Sequence, residues 1–103
     1  MVTLEKLKLY LRIDVDDEDE LLTDLLNTAK NYLHGAVSNF DEYYLADEKF
    51  ASKADFLQMV LAAEFYLNRD NDAPRSFSYT VNSLIAQLQY YAEEGALHTE
   101  GGA

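Results

Sequence analysis

The stretch DEDELLTDLLNTAKNYLHGAV, residues 17–37, determines the fold class of this chain. Its apolar residues recur at steps of three and four positions, the spacing of one face of an amphipathic α-helix. These residues are Leu21, Leu22, Leu25, Leu26, Ala29, Tyr32, Leu33, Ala36 and Val37. Asp17 followed by Glu20 is similar to a capping box, and acids suit the positive end of a helix dipole, so the helix is predicted to begin there. Gly35 is expected to weaken the last turn, close to the end of the helix.

The segments flanking this helix also carry helical patterns. A first helix is predicted from Leu4 to about Arg12, capped by Thr3 and with one leucine-rich face, and a hinge follows at residues 13–16. Residues 38–46, SNFDEYYLA, fit either a loop or a short irregular helix.

Two further helices are predicted in the C-terminal half. Asp47 is expected to cap a helix that runs to about Arg69, and because this helix is apolar almost all round, we expect it to be central. Residues 71–78, which include the only proline, break the pattern, and a last helix follows over roughly residues 80–94. Strand signals are almost absent. The sequence therefore predicts an all-α protein, a small compact bundle of about four main helices.

Length and composition fit one folded domain. The chain has 103 residues and is 49% hydrophobic, so we expect a helical domain over residues 1–95 and a short flexible C-terminal tail over residues 96–103. Cysteine is absent, which excludes disulfides and thiolate chemistry and fits a reducing cytoplasm. The longest apolar-rich window, residues 56–67, is too short to cross a bilayer, and no signal peptide is evident, so no membrane partner is expected.

The charge of the chain is strongly negative. Nineteen acids against eight bases give a formal net charge of −11, which would repel a nucleic-acid backbone and makes tight DNA binding unfavourable. Solubility is one sufficient explanation for such a charge. A more specific explanation is a surface that faces DNA without gripping it, or one that docks on a basic partner.

The acidic run after the first helix fails as a metal site. Aligned with a calcium-binding loop, Asp14, Asp16 and Glu18 fall at its first, third and fifth positions. The required glycine at position 6 is Asp19, and the required glutamate at position 12 is Leu25. The run is better explained as a solvated helix start.

Catalytic patterns are missing as well. His34 and His98 lie far apart without a spaced ligand partner, and no glycine-rich phosphate loop is present. Hydroxyl residues near position 80 are explained by helix capping. We therefore expect no enzyme activity, no metal and no cofactor.

Several segments, taken in order, resemble the head–tail connector (adaptor) family of tailed bacteriophages. The likeness covers roughly residues 2–91 and rests on the order and spacing of short motifs. These are Val2-Thr3-Leu4-Glu5-Lys6-Leu7-Lys8, Leu11-Arg12-Ile13-Asp14, Ala29-Lys30 with Tyr32, Phe65-Tyr66-Leu67-Asn68-Arg69, and Leu84-Ile85 with Gln87-Leu88. Two departures are Gln89, where the family usually has a base, and residues 38–46, which match no family segment.

This resemblance implies a structural role. Such proteins assemble with copies of themselves into a ring of about a dozen subunits. The ring sits under the phage portal protein and receives a stopper or tail-completion protein. The expected location is the virion neck, after synthesis in the bacterial host cytoplasm. DNA passes through the channel of the ring without being bound specifically.

The resemblance and the residue types together suggest two sets of functional residues. Arginines can pair with carboxylates inside the subunit, which is slightly favoured, or on a neighbour, and exposed tyrosines can anchor neighbours. Glu64 is expected to face solvent or pair with a nearby arginine, with an intersubunit salt bridge as the alternative. The candidate interface residues are Arg12, Glu64, Arg69, Tyr43, Tyr44 and Tyr90. The candidate channel-facing acids are Asp14, Asp16, Asp17, Glu18 and Asp19.

A different functional class remains open at this point. A small acidic regulatory protein that mimics DNA would also have a charge of −11 and no catalytic residues, and it would inhibit a basic nucleic-acid-binding partner. Against this alternative, the acids cluster mainly at one helix start instead of repeating at phosphate-like spacing.

Overall fold

The computed structural model describes residues 1–68 and 81–90, and these residues form an all-α bundle. No strand occurs in either range, so the predicted fold class is confirmed. The helices are α1 (Leu4–Leu11), α2 (Asp19–Ala36), α3 (Phe40–Ala46), α4 (Glu48–Leu67) and α5 (residues 81–90). The predicted break at residues 71–78 and the predicted tail at residues 96–103 lie outside the described residues.

Helix α1 has both of its ends fixed locally. The Thr3 hydroxyl accepts a hydrogen bond from the Lys6 amide at 3.2 Å, as expected for an N-cap. At the other end Arg12 adopts left-handed backbone angles, φ 60° and ψ 45°, and the next amide, that of Ile13, donates to the Lys8 carbonyl. This conformation ends the helix and turns the chain towards α2.

Arg12 provides a test that separates backbone from side chain. An L-residue in the left-handed region is strained by about 1 kcal/mol, and glycine relieves that strain. Arg12→Gly should therefore maintain the free energy of unfolding or raise it by up to about 1 kcal/mol. Lys30→Gly, inside α2, should instead lower it by about 1 kcal/mol. Urea denaturation measures the free energy of unfolding of both variants. An equal loss in Arg12→Gly and Lys30→Gly would contradict the left-handed conformation of Arg12.

Helix α2 begins later than the sequence predicts, so the predicted capping box is wrong. Its N-cap is Glu18, whose side chain makes no capping hydrogen bond, and the first helical residue is Asp19. The physical reason is that Lys8 binds Asp16 and Asp19, and the Asp19 amide donates to the Asp16 carbonyl, so Asp17 lies in the turn that precedes the helix. At its other end Gly35 lies within the last helical turn, and the helix continues to Ala36.

Residues 38–46 include a short helix, α3, which resolves the alternative left open by the sequence. Asn39 takes left-handed backbone angles, φ 58° and ψ 36°, and turns the chain into it. Phe40 is buried, with its ring centroid 5.4 Å from that of Phe50 and 4.5 Å from that of His34. His34 also approaches Asp41, at 2.7 Å between Nε2 and Oδ1. Aromatic packing and this polar contact hold α3 against α2 and α4.

Helix α4 is the central element, as predicted. The Asp47 carboxylate accepts hydrogen bonds from the Lys49 and Phe50 amides, which confirms the predicted cap. The helix contacts α1, α2 and α3. The hydrophobic core surrounds it and draws residues from α1 to α5. The core members are Leu7, Leu22, Leu26, Ala29, Leu33, Val37, Phe40, Phe50, Ala54, Leu57, Leu61, Ala62, Val81, Ile85 and Leu88.

Candidate functional site

Lys8 on α1 holds the connection between α1 and α2. Its Nζ donates to Oδ1 of Asp16 and to Oδ1 of Asp19, each at 2.7 Å. The hydrogen bonds to Asp16 and Asp19 raise the pKa of Lys8, and the hydrogen bond from Lys8 lowers the pKa of Asp16. One ammonium group therefore fixes the loop and the first turn of α2 to α1.

The candidate channel-facing acids do not form one uniform surface. Asp16 and Asp19 are held by Lys8, and the Glu18 carboxylate accepts a hydrogen bond from the Tyr66 hydroxyl of α4. Asp14 and Asp17 are exposed, and neither bonds to another residue in the described part of the chain. Only these last two carboxylates are left to face a partner or a channel. Their position in a channel wall stays a prediction.

Two of the candidate interface tyrosines are partly buried in the subunit. The Tyr43 ring lies 5.6 Å from the Phe50 ring, centroid to centroid. The Tyr44 hydroxyl donates to Asp55 Oδ1 at 2.8 Å, and its burial, with that hydrogen bond, raises the pKa of Tyr44 to about 12. Both side chains therefore have a packing role within the bundle. Tyr90, in contrast, is 65% exposed on α5.

The charged interface candidates are Arg12, Glu64 and Arg69. Arg12 is exposed and Glu64 is half-buried, and neither forms an ion pair with another residue of ranges 1–68 and 81–90. The internal pairing favoured from the sequence is thus not seen for Arg12 in the part of the chain that the structure describes. Arg69 lies outside the described residues.

Sequence reasoning missed a surface on the outer side of α4. We call it the α4 ridge, and its members are Lys49, Ser52, Lys53 and Phe56, all exposed. They recur at i, i+3, i+4 and i+7, which places them on one helix face. That spacing could have predicted the ridge from the sequence, but the apolar residues on the other faces of α4 dominate its pattern.

A groove lies on each side of the α4 ridge. The first groove, about 520 Å³, lies between α4 and the start of α1 and is lined by residues that include Lys6, Ser52, Asp55 and Phe56. The second groove, about 370 Å³, lies between Lys53 and α5 and includes Tyr90. Phe56 is 48% exposed at the edge of the first groove. The ridge therefore carries two exposed lysines and an exposed aromatic ring, while the acidic residue of the first groove, Asp55, accepts a hydrogen bond from Tyr44.

Sequence reasoning also missed Gln58, a polar residue that is only 2% exposed. Its Oε1 accepts from the Val2 amide and its Nε2 donates to the Leu26 carbonyl, both at 3.0 Å. The side chain joins α4 to α2 and to the residues before α1. No periodic pattern distinguishes such a residue from an exposed glutamine.

In residues 1–68 and 81–90, no group of three or more His, Cys, Asp or Glu side chains is placed to hold a metal ion. Among the helices that the structure describes, none is long and apolar enough to cross a membrane.

Comparison with protein families identifies this chain's family. Neither the curated proteins nor the solved structures gave a match. The family described as Phage gp6-like head-tail connector protein matches residues 1–102. This match covers nearly the whole chain and agrees with the ordered motifs and the all-α bundle. The chain therefore belongs to the phage gp6-like head-tail connector family.

Proposed function

We propose that this protein is the ring-forming adaptor of a tailed phage: it docks beneath the portal protein, completes the neck and extends the DNA channel. The observation that carries this proposal is the family match over residues 1–102. The ring contains about a dozen subunits, as closed cyclic assembly of identical chains allows. A stopper or tail-completion protein binds its other side.

The surface of the subunit supports a ring. Head-to-tail closure needs two unlike surfaces on each chain, because neighbours meet through different faces. Within residues 1–68 and 81–90, exposed acids cluster at the connection between α1 and α2, and two exposed lysines lie on the α4 ridge. Exposed apolar residues occur at both, Val15 at the first and Phe56 at the second.

The net charge supports a channel that does not retain DNA. At −11 per subunit, a ring of such chains repels the phosphate backbone and leaves the DNA free to slide. The alternative of a DNA mimic is less well supported, because Asp16, Glu18 and Asp19 are engaged within the subunit and do not project as a row of phosphate-like charges.

Removing the protein from the phage tests this function. A nonsense mutation in its gene should yield DNA-filled heads and free tails that do not join, and adding the purified protein to such a lysate should restore infectious particles. If heads made without it join tails normally, the adaptor role is wrong. If the mutant phage assembles normally and only the activity of a nucleic-acid enzyme of the host or phage changes, the DNA-mimic inhibitor is favoured instead.

A further inference from the structure

We propose that the α4 ridge binds the connection between α1 and α2, residues 13–17, of a second copy of this chain. This inference rests on the proposed ring and names the two surfaces that meet in it. The contact inserts Val15 beside Phe56 and places Asp14 and Asp17 against Lys49 and Lys53.

The α4 ridge needs an acidic and partly apolar occupant. Lys49 and Lys53 project from the same face of α4, and Lys6 lies across the first groove from it. Phe56, nearly half-exposed, adds apolar area between the two grooves. In a chain of net charge −11 these three lysines are a local concentration of positive charge, and they attract carboxylates.

Residues 13–17 have the complementary chemistry. Val15 is 57% exposed and is flanked by Asp14 and Asp16. Asp14 and Asp17 are exposed and make no bond within the described ranges, so their charge is available to a neighbour. An apolar side chain between carboxylates fits a surface in which Phe56 shares one helix face with Lys49 and Lys53.

The connection is already held in place before any partner arrives. Lys8 binds Asp16 and Asp19, on either side of Asp17, and Tyr66 binds Glu18. Because these contacts are internal, little conformational freedom is left to lose on docking. In the described ranges, the carboxylates of this loop that have no internal partner are those of Asp14 and Asp17.

The two surfaces are far enough apart to be used at once. The Glu18–Tyr66 hydrogen bond places the connection near the C-terminal end of α4, whereas the α4 ridge occupies its N-terminal half. At a rise of 1.5 Å per residue, Lys53 and Tyr66 are separated by about 20 Å along the helix. Each subunit can therefore give its connection to one neighbour and its ridge to the other. This proposal places Asp14 and Asp17 between subunits and so replaces the channel-wall position that the sequence predicts for them.

Charge reversal tests the pairing. The ridge variant is Lys49→Glu with Lys53→Glu, and the loop variant is Asp14→Lys with Asp17→Lys. Purified protein is added to portal-bearing heads made without it, and the amount retained per head is measured after sedimentation. Each variant alone should be retained at least tenfold less than the wild type, because its own ridge and loop now repel. A mixture of the two should recover wild-type retention, because each can then pair with the other.

Controls separate this contact from other failures. Asp24→Lys with Glu42→Lys changes the net charge as much as the loop variant but uses exposed acids elsewhere, and it should bind like the wild type. Circular dichroism confirms that each variant is folded. The contact is wrong if the ridge variant or the loop variant is retained on heads as well as the wild type, or if a mixture of the two folded variants is not. Either result would leave the ring proposal standing. Failure of the wild-type protein to bind heads would overturn the proposed function itself.

Discussion

Phe50→Ala is expected to lower the free energy of unfolding by about 3–5 kcal/mol, the range for removing a large aromatic side chain from a core. Phe50 is fully buried in the first turn of α4. Its ring meets those of Phe40 and Tyr43, so the substitution leaves a cavity where α3 packs on α4. Because small domains are stable by only about 5–15 kcal/mol, this variant should be close to unfolding at 37 °C. Urea denaturation followed by circular dichroism measures the loss.

Phe56→Ala is the matched control for this prediction. It removes the same side chain from the same helix, but from an exposed position on the α4 ridge. We expect a loss below about 1 kcal/mol, since surface substitutions rarely cost more. Equal losses for Phe50→Ala and Phe56→Ala would contradict the placement of α4 in the bundle.

Gln58→Ala is expected to lower the free energy of unfolding by about 1–3 kcal/mol. The substitution removes both the acceptor for the Val2 amide and the donor to the Leu26 carbonyl, and the site is too buried for bulk water to replace them. Leaving buried polar groups without partners costs more than the net gain from an ordinary hydrogen bond. Denaturation measures the total loss, and hydrogen exchange at the Val2 amide reports the local contact.

Gln87→Ala is the control for the buried glutamine. Gln87 is exposed on α5, so its loss should change the free energy of unfolding by less than about 0.5 kcal/mol. If Gln58→Ala is as well tolerated as Gln87→Ala, or if the Val2 amide exchanges at the same rate in wild type and Gln58→Ala, then Gln58 does not join the helices as described.

Local signals in the sequence were enough to predict most of the fold. The cap at Thr3 and the cap at Asp47 depend on side chains next to the helix they begin, so they are visible in the sequence. The start of α2 is not visible in the sequence, because Lys8, distant along the chain, binds Asp16 and Asp19 and leaves Asp17 in the turn before the helix. Helix α3 likewise depends on the burial of Phe40 against other helices. Its sequence alone therefore left a loop equally possible.

The candidate site was less predictable, because residue type does not reveal which way a side chain faces. Tyr43 and Tyr44 have the composition of interface anchors, yet the fold turns them partly into the bundle. The α4 ridge was hidden because apolar residues occupy the remaining faces of α4 and dominate its pattern. The family, in contrast, was recognisable from ordered motifs, which do not depend on orientation.

The position of the protein in the phage particle is the most direct test of the adaptor function. Immunogold electron microscopy of intact particles, with antibody raised against this protein, measures that position. We predict label confined to a single vertex of the head, at its junction with the tail. Particles without label, with the protein found only in the soluble lysate, would contradict the adaptor function.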